Sequence, residues 1–535
     1  TSVALHHGSV DRKIRTRIED ALRAGTLRCV VATSSLDLGV DFPPVDQVLQ
    51  VGSPKGVGRL IQRAGRSGHR PDATSHLLCV PTHAWELVEI AASREGIEEG
   101  RVEPRVPLKN SLDVLVQHLV TLAAGPGFVP DQALAEARST VAFGELSDPA
   151  FRWALDFITR GGQALQGYPQ FRRVRLDGDR YRIADAVTAR RHRMAIGTIT
   201  SDASMRLQFQ SGGTLGSVEE SFIGRLKPGD DFVFAGRVLT LLRVRDMTAF
   251  VEISARKSRQ VPRWQGGRMP LSTRLGELML AQLSAPDPAT SRHAEIRAVA
   301  PLIELQRKWS RCPSRTTLLI ETHKSREGHH LFAYPFFGRQ VNEGLALLLA
   351  SRWARQAPQS FTLAATDYGF ELLSPTSIVL DEERLRRGLT TENLAQDLLD
   401  CINLSELARR RFRDIARIAG LIFPGFPGAG KSTRQLQASS GLMYDVLSQY
   451  DGDNLLLGQA RDEVLEDQLE VRQLREALER LSSQVPVIQA VARLTPLAFP
   501  IWAERLQTQM VSTEGWKERV QRAAEALEKQ AAKRA

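Results

Sequence analysis

Glycine and arginine alternate in a short segment near the start of the chain. Residues Gln62 to Arg70 read QRAGRSGHR, so that two glycines lie among three arginines. The two glycines disfavour an ordinary helix and favour a turn. Such a turn can project the guanidinium groups toward phosphate oxygens. An arginine offered to a γ-phosphate stabilises the charge of phosphoryl transfer, an effect of about 10³–10⁵ in rate. Arg66 is the first candidate for such chemistry.

Two earlier segments place polar residues directly after predicted strands. His6-His7-Gly8-Ser9 follows an apolar run and precedes a helical pattern, so its backbone N–H groups can face a phosphate. Residues 31–41 read VATSSLDLGVD and put Thr33 at the carboxyl end of a strand, where α/β domains bind ligands. Gly39 permits a close approach and Asp41 supplies a carboxylate. A helix N-cap at Thr33 or Ser34, with a solvated Asp37, is the alternative interpretation.

The elements that must position these residues are predicted within residues 1–95. Apolar runs at 3–5, 28–32, 47–51 and 75–80 have the length and β-branched content of buried parallel strands. Residues 11–24 and 58–64 carry helical spacing between them. This alternation predicts a doubly wound α/β domain.

The order of the segments resembles motifs V and VI of the second RecA-like domain of superfamily-2 helicases. Residues 53–70 and 79–89 are similar to the Lhr-type (large helicase-related) proteins, and most of all to their ligase-associated DEXH-box branch, Lhr-Core. Residues 321–330, 335–339 and 434–441 also resemble the C-terminal region of that family. The resemblance therefore covers nearly the whole chain, without the first RecA-like domain.

The resemblance implies an ATP-dependent 3′-to-5′ translocase that unwinds DNA or RNA–DNA duplexes while tracking single-stranded DNA. Carried over by motif, Gly39 and Asp41 face nucleotide and Mg²⁺, Gln62 and Arg66 contact phosphates with Arg66 as the arginine finger, and Ser9 and Thr33 hold the DNA backbone. Many relatives outside the branch have arginine at the place of His69, whereas here Arg70 follows it. Both residues stay candidates for the nucleotide contact.

The remaining chain is predicted to form three further domains. Helical patterns around residues 112–123, 131–138 and 148–160, followed by a hairpin with an Asp177-Gly178 turn, indicate a winged helix over residues 96–193. Short strands separated by turn residues indicate a small barrel or sandwich, and we predict a β-barrel over residues 194–275. Residues 276–535 are predicted to be a mainly helical α+β domain, whose clearest helix runs over about residues 455–481 with an apolar stripe at Val471, Leu474, Leu478 and Leu481.

Positive charge is concentrated between Arg172 and Arg193. Eight arginines (172, 173, 175, 180, 182, 190, 191 and 193) face three aspartates in that window. Such a cluster suits a surface that follows nucleic-acid phosphates, although an ordinary solvated strand face has the same composition. Arg172, Arg173 and Arg175 are the candidate contacts. Trp264 lies among basic and glycine residues, where it could stack on a base or cap the barrel core.

Two other segments imitate functional motifs. Gly425 to Ser432 satisfies the G-x-x-x-x-G-K-S pattern of a phosphate-binding loop. Pro427 removes an N–H that the loop would use, and the preceding residues 409–421 have the pattern of a basic helix rather than of a strand. His323, His329 and His330 lie near two glutamates but lack the helical i, i+4 spacing of a zinc protease. We interpret them as hydrogen-bonded histidines and predict no metal site.

Composition bounds the remaining alternatives. The four cysteines include no C-x-x-C pair, and no apolar run reaches the roughly 18 residues of a membrane span. We expect a cytoplasmic, bacterial protein with ATP and Mg²⁺ as cofactors of the full-length helicase and none bound by this chain alone. The expected partners are single-stranded DNA, the duplex, the first RecA-like domain in cis and, by resemblance, a DNA ligase and a nuclease of DNA repair. A stand-alone nucleic-acid-binding module and an independent P-loop ATPase are the alternatives.

Overall fold

The computed structural model divides into two compact units that interleave along the sequence. The first comprises Thr1–Phe42, Arg105–Gly267 and Leu404–Val464, and the second comprises Pro43–Pro104, Arg268–Asn403 and Leu465–Ala535. The described residues are 3–8, 10–37, 45–68, 74–104, 107–198, 204–210, 212–219, 223, 228–234, 237–245, 248–254, 270–401, 404–423, 425–426, 429–430, 433–467, 470–508 and 515–532. The sequence predicts contiguous domains, because local patterns carry no information on packing between distant segments. Each observed unit instead combines three separate segments.

Two parallel strand pairs lie within the first eighty residues. Strand β1 (Val3–His6) pairs with β2 (Cys29–Ala32), with helix α1 (Arg12–Arg23) between them in sequence. Strand β3 (Val48–Val51) pairs with β4 (Leu77–Val80), with α2 (Val57–Ala64) between them, and α3 (Ala84–Glu98) follows. The predicted strands and helices are confirmed. Among the described residues, however, they form two separate two-stranded sheets rather than one doubly wound sheet.

The predicted burial of these strands is wrong in this structure. Val3 is 53% exposed, Val31 55% and Val51 66%. A parallel sheet is buried only where helices cover both of its faces. The described residues supply no such cover for these side chains.

The first unit continues with helices and a hairpin. They are α4 (Leu112–Ala123), α5 (Pro130–Arg138), α6 (Asp148–Arg160), α7 (Gly162–Leu165), β5 (Val174–Asp177), β6 (Arg180–Ile183) and α8 (Ala186–Ala195). Helix α6 begins where the Ser147 hydroxyl accepts the Ala150 N–H at 3.3 Å, and β5 pairs with β6 through a turn at Gly178, whose φ is 64°. The predicted sequence of helices followed by a hairpin is confirmed.

A five-stranded sheet follows in the same unit. It contains β7 (Ser204–Phe209), β8 (Thr214–Glu219), β9 (Asp231–Phe234), β10 (Arg237–Arg245) and β11 (Thr248–Ile253), in the order β8-β7-β11-β10-β9. Alternate residues such as Leu207, Leu239 and Val251 face one core. Within the described segments β8 and β9 are not paired with each other, so the sheet is open and the predicted closed barrel is not seen there.

The second unit is built on a mixed five-stranded sheet. Its strands are β12 (Thr317–Ser325), β13 (Gly328–Ala333), β14 (Thr362–Ala365), β15 (Phe370–Ser374) and β18 (Val485–Ala490), in the order β14-β15-β13-β12-β18. Its helices are α9 (Thr273–Ser284), α10 (Ala294–Trp309), α11 (Arg339–Gln356), α12 (Glu382–Gly388), α13 (Leu394–Cys401), α17 (Val471–Ser483), α18 (Ala498–Thr508) and α19 (Trp516–Ala532). Leu319 faces one core and its neighbours Leu318 and Ile320 face another, so the sheet lies between two apolar layers.

Residues 404–464 return to the first unit. They form α14 (Leu404–Ile418), the short strands β16 (Gly425–Phe426) and β17 (Ala429–Gly430), α15 (Thr433–Tyr450) and most of α16 (Leu455–Asp467). Phe412, Leu447 and Leu456 pack with α4 and α6 in one core. The predicted single helix over 455–481 is wrong, because Glu470 has a φ of 45° and a right-handed helix cannot continue through it. The predicted apolar stripe is confirmed, since Leu474, Leu478 and Leu481 are buried in one core.

Candidate nucleotide and nucleic-acid site

Helix α2 and the turn after it carry Gln62 and Arg66. Val57 and Leu60 are buried, whereas Gln62 is exposed and Arg66 partly exposed. Val57 packs closely on α3, where a Cβ added to Gly96 would lie 2.7 Å from Val57 Cγ2. The buried face of α2 therefore fixes which way its polar residues point.

A carboxylate from a later segment holds the start of α2. Glu103 Oε1 accepts the Val57 N–H at 2.7 Å, and Oε2 accepts the Gly58 N–H at 2.8 Å. The Ser272 hydroxyl also donates to Oε1, at 2.8 Å. Partial burial disfavours the charge, but the hydrogen bonds from Gly58 and Val57 outweigh it and hold the pKa of Glu103 below its ordinary value. The carboxylate satisfies donors at the positive end of the helix dipole.

The turn after α2 is fixed by Ser67. Its hydroxyl donates to Ala64 O at 2.8 Å and accepts the His76 N–H at 2.8 Å, and the Ser75 hydroxyl donates to Ser67 O at 2.9 Å. Gly68 has a φ of 70°, and an added Cβ would lie 2.8 Å from Thr74 O. The predicted turn is therefore present, and its second glycine is required by conformation and by space.

A buried acidic cluster anchors the loop between β3 and α2. Lys55, whose φ is 64°, donates from Nζ to Asp367 Oδ2 at 2.7 Å. The Ser53 N–H donates to Glu86 Oε1 at 3.0 Å, while the Ser53 and Tyr368 hydroxyls donate to Glu89. Burial raises the pKa of Glu89 despite the nearby ammonium of Lys55. Sequence reasoning missed this cluster, because neither spacing nor composition links residue 55 to residue 367.

At the end of β1, His6 joins three elements of the first unit. His6 is buried, with Nδ1 2.9 Å from Ser35 Oγ and Nε2 3.0 Å from Glu19 Oε1. Thr33 ends β2 and precedes a 3₁₀ turn at Ser34–Leu36, but its exposed side chain makes no capping hydrogen bond. Thr33 therefore occupies the N-cap position without capping the turn through its side chain, and its hydroxyl is accessible.

Several predicted site residues lie outside the described residues. They are Ser9, Gly39, Asp41, His69, Arg70 and Trp264. Of the residues predicted for the motor site, the structure describes Thr33 in the first unit and Gln62 and Arg66 in the second.

The arginine-rich hairpin separates into exposed and buried members. Arg172 and Arg175 are exposed, and Arg172 donates from Nη2 to Gln166 O at 2.6 Å. Arg173 is only 7% exposed and donates from Nη1 to Ala419 O at 2.5 Å. Its predicted place on an exposed nucleic-acid surface is therefore corrected, because the side chain points into the protein.

The segment that imitates a phosphate-binding loop folds as a hairpin. Gly425 pairs with Gly430, and Phe426 pairs with Ala429, in antiparallel register. The preceding element is α14, which bears out the predicted basic helix, whereas a P-loop follows a strand. Lys431 lies outside the described residues. The described backbone thus lacks the strand-to-loop geometry that cradles phosphates.

The predicted hydrogen bonding of the histidines is confirmed for His323 and His330. His330 Nδ1 lies 2.6 Å from Glu371 Oε1 and Nε2 lies 2.6 Å from Ser325 Oγ. His323 Nδ1 lies 3.0 Å from Val491 O. The described residues contain no cluster of three or more metal-ligating side chains.

Comparison with known proteins defines the class of the chain. Residues 1–70 match the helicase conserved C-terminal domain, residues 95–261 the winged helix domain of large helicase-related proteins, and residues 312–498 the DEAD/H associated family. This order of parts is that of a multidomain helicase. No helix within the described ranges is long and apolar enough to cross a bilayer.

The relatives narrow the class to one family. The chain is 28% identical to ATP-dependent helicase Lhr-Core protein 2 of Thermococcus barophilus, over 88% of this chain and 56% of that protein. It is 28% identical to ATP-dependent helicase Lhr-Core of Methanothermobacter thermautotrophicus, over 94% of this chain and 61% of that protein. The structure of Mycobacterium smegmatis helicase Lhr bound to ssDNA and AMP-PNP has a TM-score of 0.64 at 24% identity, over 93% of this chain and 61% of that one, and shows the shared fold. The chain is thus similar to Lhr-Core helicases over most of its length, and it spans about three fifths of the length of these relatives.

Proposed function

We propose that the chain is part of an ATP-dependent 3′-to-5′ DNA helicase or translocase of DNA repair. It supplies the arginine-finger half of the ATPase cleft and much of the DNA-binding surface. The observation that carries this proposal is the fixed geometry of α2 and its turn, which project Gln62 and Arg66 from a buried base.

The support for Arg66 as the finger comes from the contacts around it. Glu103 fixes one end of α2, and Ser67 fixes the turn directly after Arg66. A group that stabilises a transition state must be held in place before the reaction, because reorganisation would cost part of its effect. Two independent anchors on either side of Arg66 meet that requirement.

The DNA surface is proposed to include exposed cations of the winged helix. Arg172 and Arg175 are solvent-accessible, and Thr33 offers an accessible hydroxyl in the same unit. Ser9 and Trp264 remain proposed contacts. Guanidinium groups on such a surface release counterions on binding DNA, so the affinity must fall steeply with salt.

The cofactor and partners follow the same proposal. ATP and Mg²⁺ belong to the full-length helicase, where Gly39, Asp41, His69 and Arg70 are the proposed contacts besides Gln62 and Arg66. The Walker A lysine and the DEXH box are proposed to come from the first RecA-like domain in cis, since the Gly425 hairpin does not form a phosphate cradle. A DNA ligase, a nuclease and the bacterial cytoplasm remain predictions from family resemblance.

Two measurements on this chain alone separate the proposal from its alternatives. We expect no ATP hydrolysis above background. We also expect single-stranded DNA binding that weakens as salt rises, since a protein with several phosphate contacts loses about 10³–10⁵ in affinity between about 50 and 200 mM salt. Robust turnover that disappears in Lys431→Ala would instead favour the P-loop ATPase.

The arginine finger is tested in the helicase that includes the first motor domain. Arg66→Lys keeps the charge but loses the planar fork, so we expect kcat for ATP to fall by about 10³ or more. Arg101→Lys is the control, because Arg101 is an exposed arginine of the same unit that pairs at the surface with Glu99. Unchanged kcat in Arg66→Lys, with DNA binding intact, would remove Arg66 from the role of arginine finger.

A further inference from the structure

The first unit contains a basic cavity that neither the motor motifs nor the exposed DNA surface uses. It has a volume of about 310 Å³ and is lined by α4, α8, the segment before β5, the end of α14 with the residues after it, and the middle of α15. Arg173, Arg191 and Arg417 line it, together with His192. We call it the arginine cavity.

Arg173 is the unusual member of this set. Its side chain is more than nine-tenths buried, its Nε has no hydrogen-bond partner, and its Nη1 donates a hydrogen bond to Ala419 O. Burial lowers the pKa of Arg173 to about 10, so it is still a cation at neutral pH. A buried cation without a counter-charge is costly, and a bound anion would remove that cost.

The lining residues supply no counter-charge, although the exposed Asp185 before α8 interacts electrostatically with Arg191. None of the sixteen lining residues, all within the described part of the chain, is acidic. Among the described residues no carboxylate forms an ion pair with Arg173, Arg191 or Arg417. Asp185, in the turn before α8, is engaged by the Thr188 N–H and hydroxyl, each at 2.8 Å.

The cavity is also shaped around the guanidinium groups. Gly420 has a φ of 74°, and an added Cβ would lie 2.6 Å from Arg173 Nη1, so glycine gives the guanidinium its room. His192 is held by a 2.8 Å hydrogen bond between Nε2 and Thr121 Oγ1. Phe171 and Met443 provide an apolar wall beside the charged groups.

We propose that the arginine cavity binds the phosphate monoester of a nucleotide. Guanidinium groups match phosphate oxygens through paired hydrogen bonds, and three cations suit a dianion better than a singly charged carboxylate. The volume lies at the lower end of the range for ligand pockets, roughly 300–1,000 Å³, which fits a phosphate with one small attached group. The monoester can belong to a free mononucleotide or to the phosphorylated end of a strand. The inference does not rest on the proposed motor function, since phosphate alone is a sufficient ligand.

Calorimetric titration of the chain with inorganic phosphate, AMP and adenosine tests the proposal. Phosphate and AMP should bind and adenosine should not. Arg191→Gln and Arg417→Gln, both checked for folding by circular dichroism, should each lower the affinity about tenfold, the effect of one charge-assisted hydrogen bond. Arg152→Gln removes the same charge from an exposed position on α6, away from the cavity, and should change nothing.

Short single-stranded DNA with a 5′-phosphate or a 5′-hydroxyl distinguishes the two sources of the monoester. Tighter binding of the phosphorylated strand, lost in Arg417→Gln, assigns the cavity to a strand end. Equal binding of the two strands, with phosphate and AMP still bound, assigns it to a free nucleotide. The proposal is overturned if neither phosphate nor AMP binds, or if both cavity variants bind them as the unaltered chain does.

Discussion

The carboxylate of Glu103 can be removed with little change in shape by Glu103→Gln. In the native structure it accepts the Val57 N–H at 2.7 Å, the Gly58 N–H at 2.8 Å and the Ser272 hydroxyl at 2.8 Å. An amide keeps one acceptor oxygen and loses the negative charge at the helix N-terminus. The first turn of α2, which leads to the proposed arginine finger, should therefore open more often.

The magnitude follows from the contacts that are lost. Removal of a capping acceptor typically costs about 0.5–2 kcal/mol, and the charge at a helix N-terminus adds about 0.3–1 kcal/mol. Because Glu103 is only about half-buried, solvent screening reduces the second contribution, and we expect about 1–2 kcal/mol in total. In hydrogen exchange limited by local opening, this corresponds to about 5–30-fold faster exchange for the amides of Val57 and Gly58.

The effect must also depend on pH with a defined sign. The folded pKa of Glu103 lies below its ordinary value, so its contribution is present above the unfolded pKa and is lost as pH falls through the folded pKa. The exchange ratio between Glu103→Gln and the unaltered chain should thus be full at pH 7 and shrink below about pH 4.

The control is Glu99→Gln, which removes an exposed carboxylate paired with Arg101 at the surface. Surface pairs contribute about 0–1 kcal/mol, so exchange in α2 should stay nearly unchanged. The reasoning is refuted if Glu103→Gln exchanges like this control, or if its ratio to the unaltered chain is the same at pH 7 and at pH 3.

Three further predictions concern the turn, the core and the DNA surface. Gly68→Ala should lower the melting temperature more than Gly25→Ala, because both have a φ of 70° but only Gly68 would place a Cβ 2.8 Å from a carbonyl oxygen; equal losses would contradict the clash. Leu478→Ala should cost about 2–5 kcal/mol in urea unfolding, since the side chain is fully buried, and a loss below about 1 kcal/mol would contradict its packing. Arg175→Gln should reduce the salt dependence of single-stranded DNA binding by about 0.7 in log–log slope, and an unchanged slope would remove Arg175 from the proposed surface.

Local elements were predictable because their signals are local. Apolar spacing placed α4 and α6 at their observed bounds, and the Asp177-Gly178 pair placed the hairpin turn. The break between α16 and α17 was missed, since the apolar stripe at residues 471–481 lies wholly within α17 and carries no sign of the left-handed Glu470 before it. Helical periodicity describes one face of a segment and says little about where the backbone turns.

The supports of the candidate site could not be predicted from spacing. Glu103 lies 46 residues from Val57, and Asp367 lies 312 residues from Lys55. A single sequence contains no pattern that joins such positions, although the turn that carries Arg66 was evident from its glycines. The residues that face a ligand were therefore easier to name than the residues that hold them in place.

In the arginine-rich stretch at residues 172–193, composition alone does not distinguish exposed arginines from buried ones. Arg175 lies on an exposed strand face, whereas Arg173 turns inward to Ala419 O, 246 residues away in sequence. Its position depends on Gly420, because a Cβ there would occupy the space of Nη1. One cluster of charge thus contains a surface that can follow a phosphate chain and a cavity that can enclose one phosphate group. The two roles separate experimentally, since the first changes the salt dependence of DNA binding and the second changes the affinity for phosphate itself.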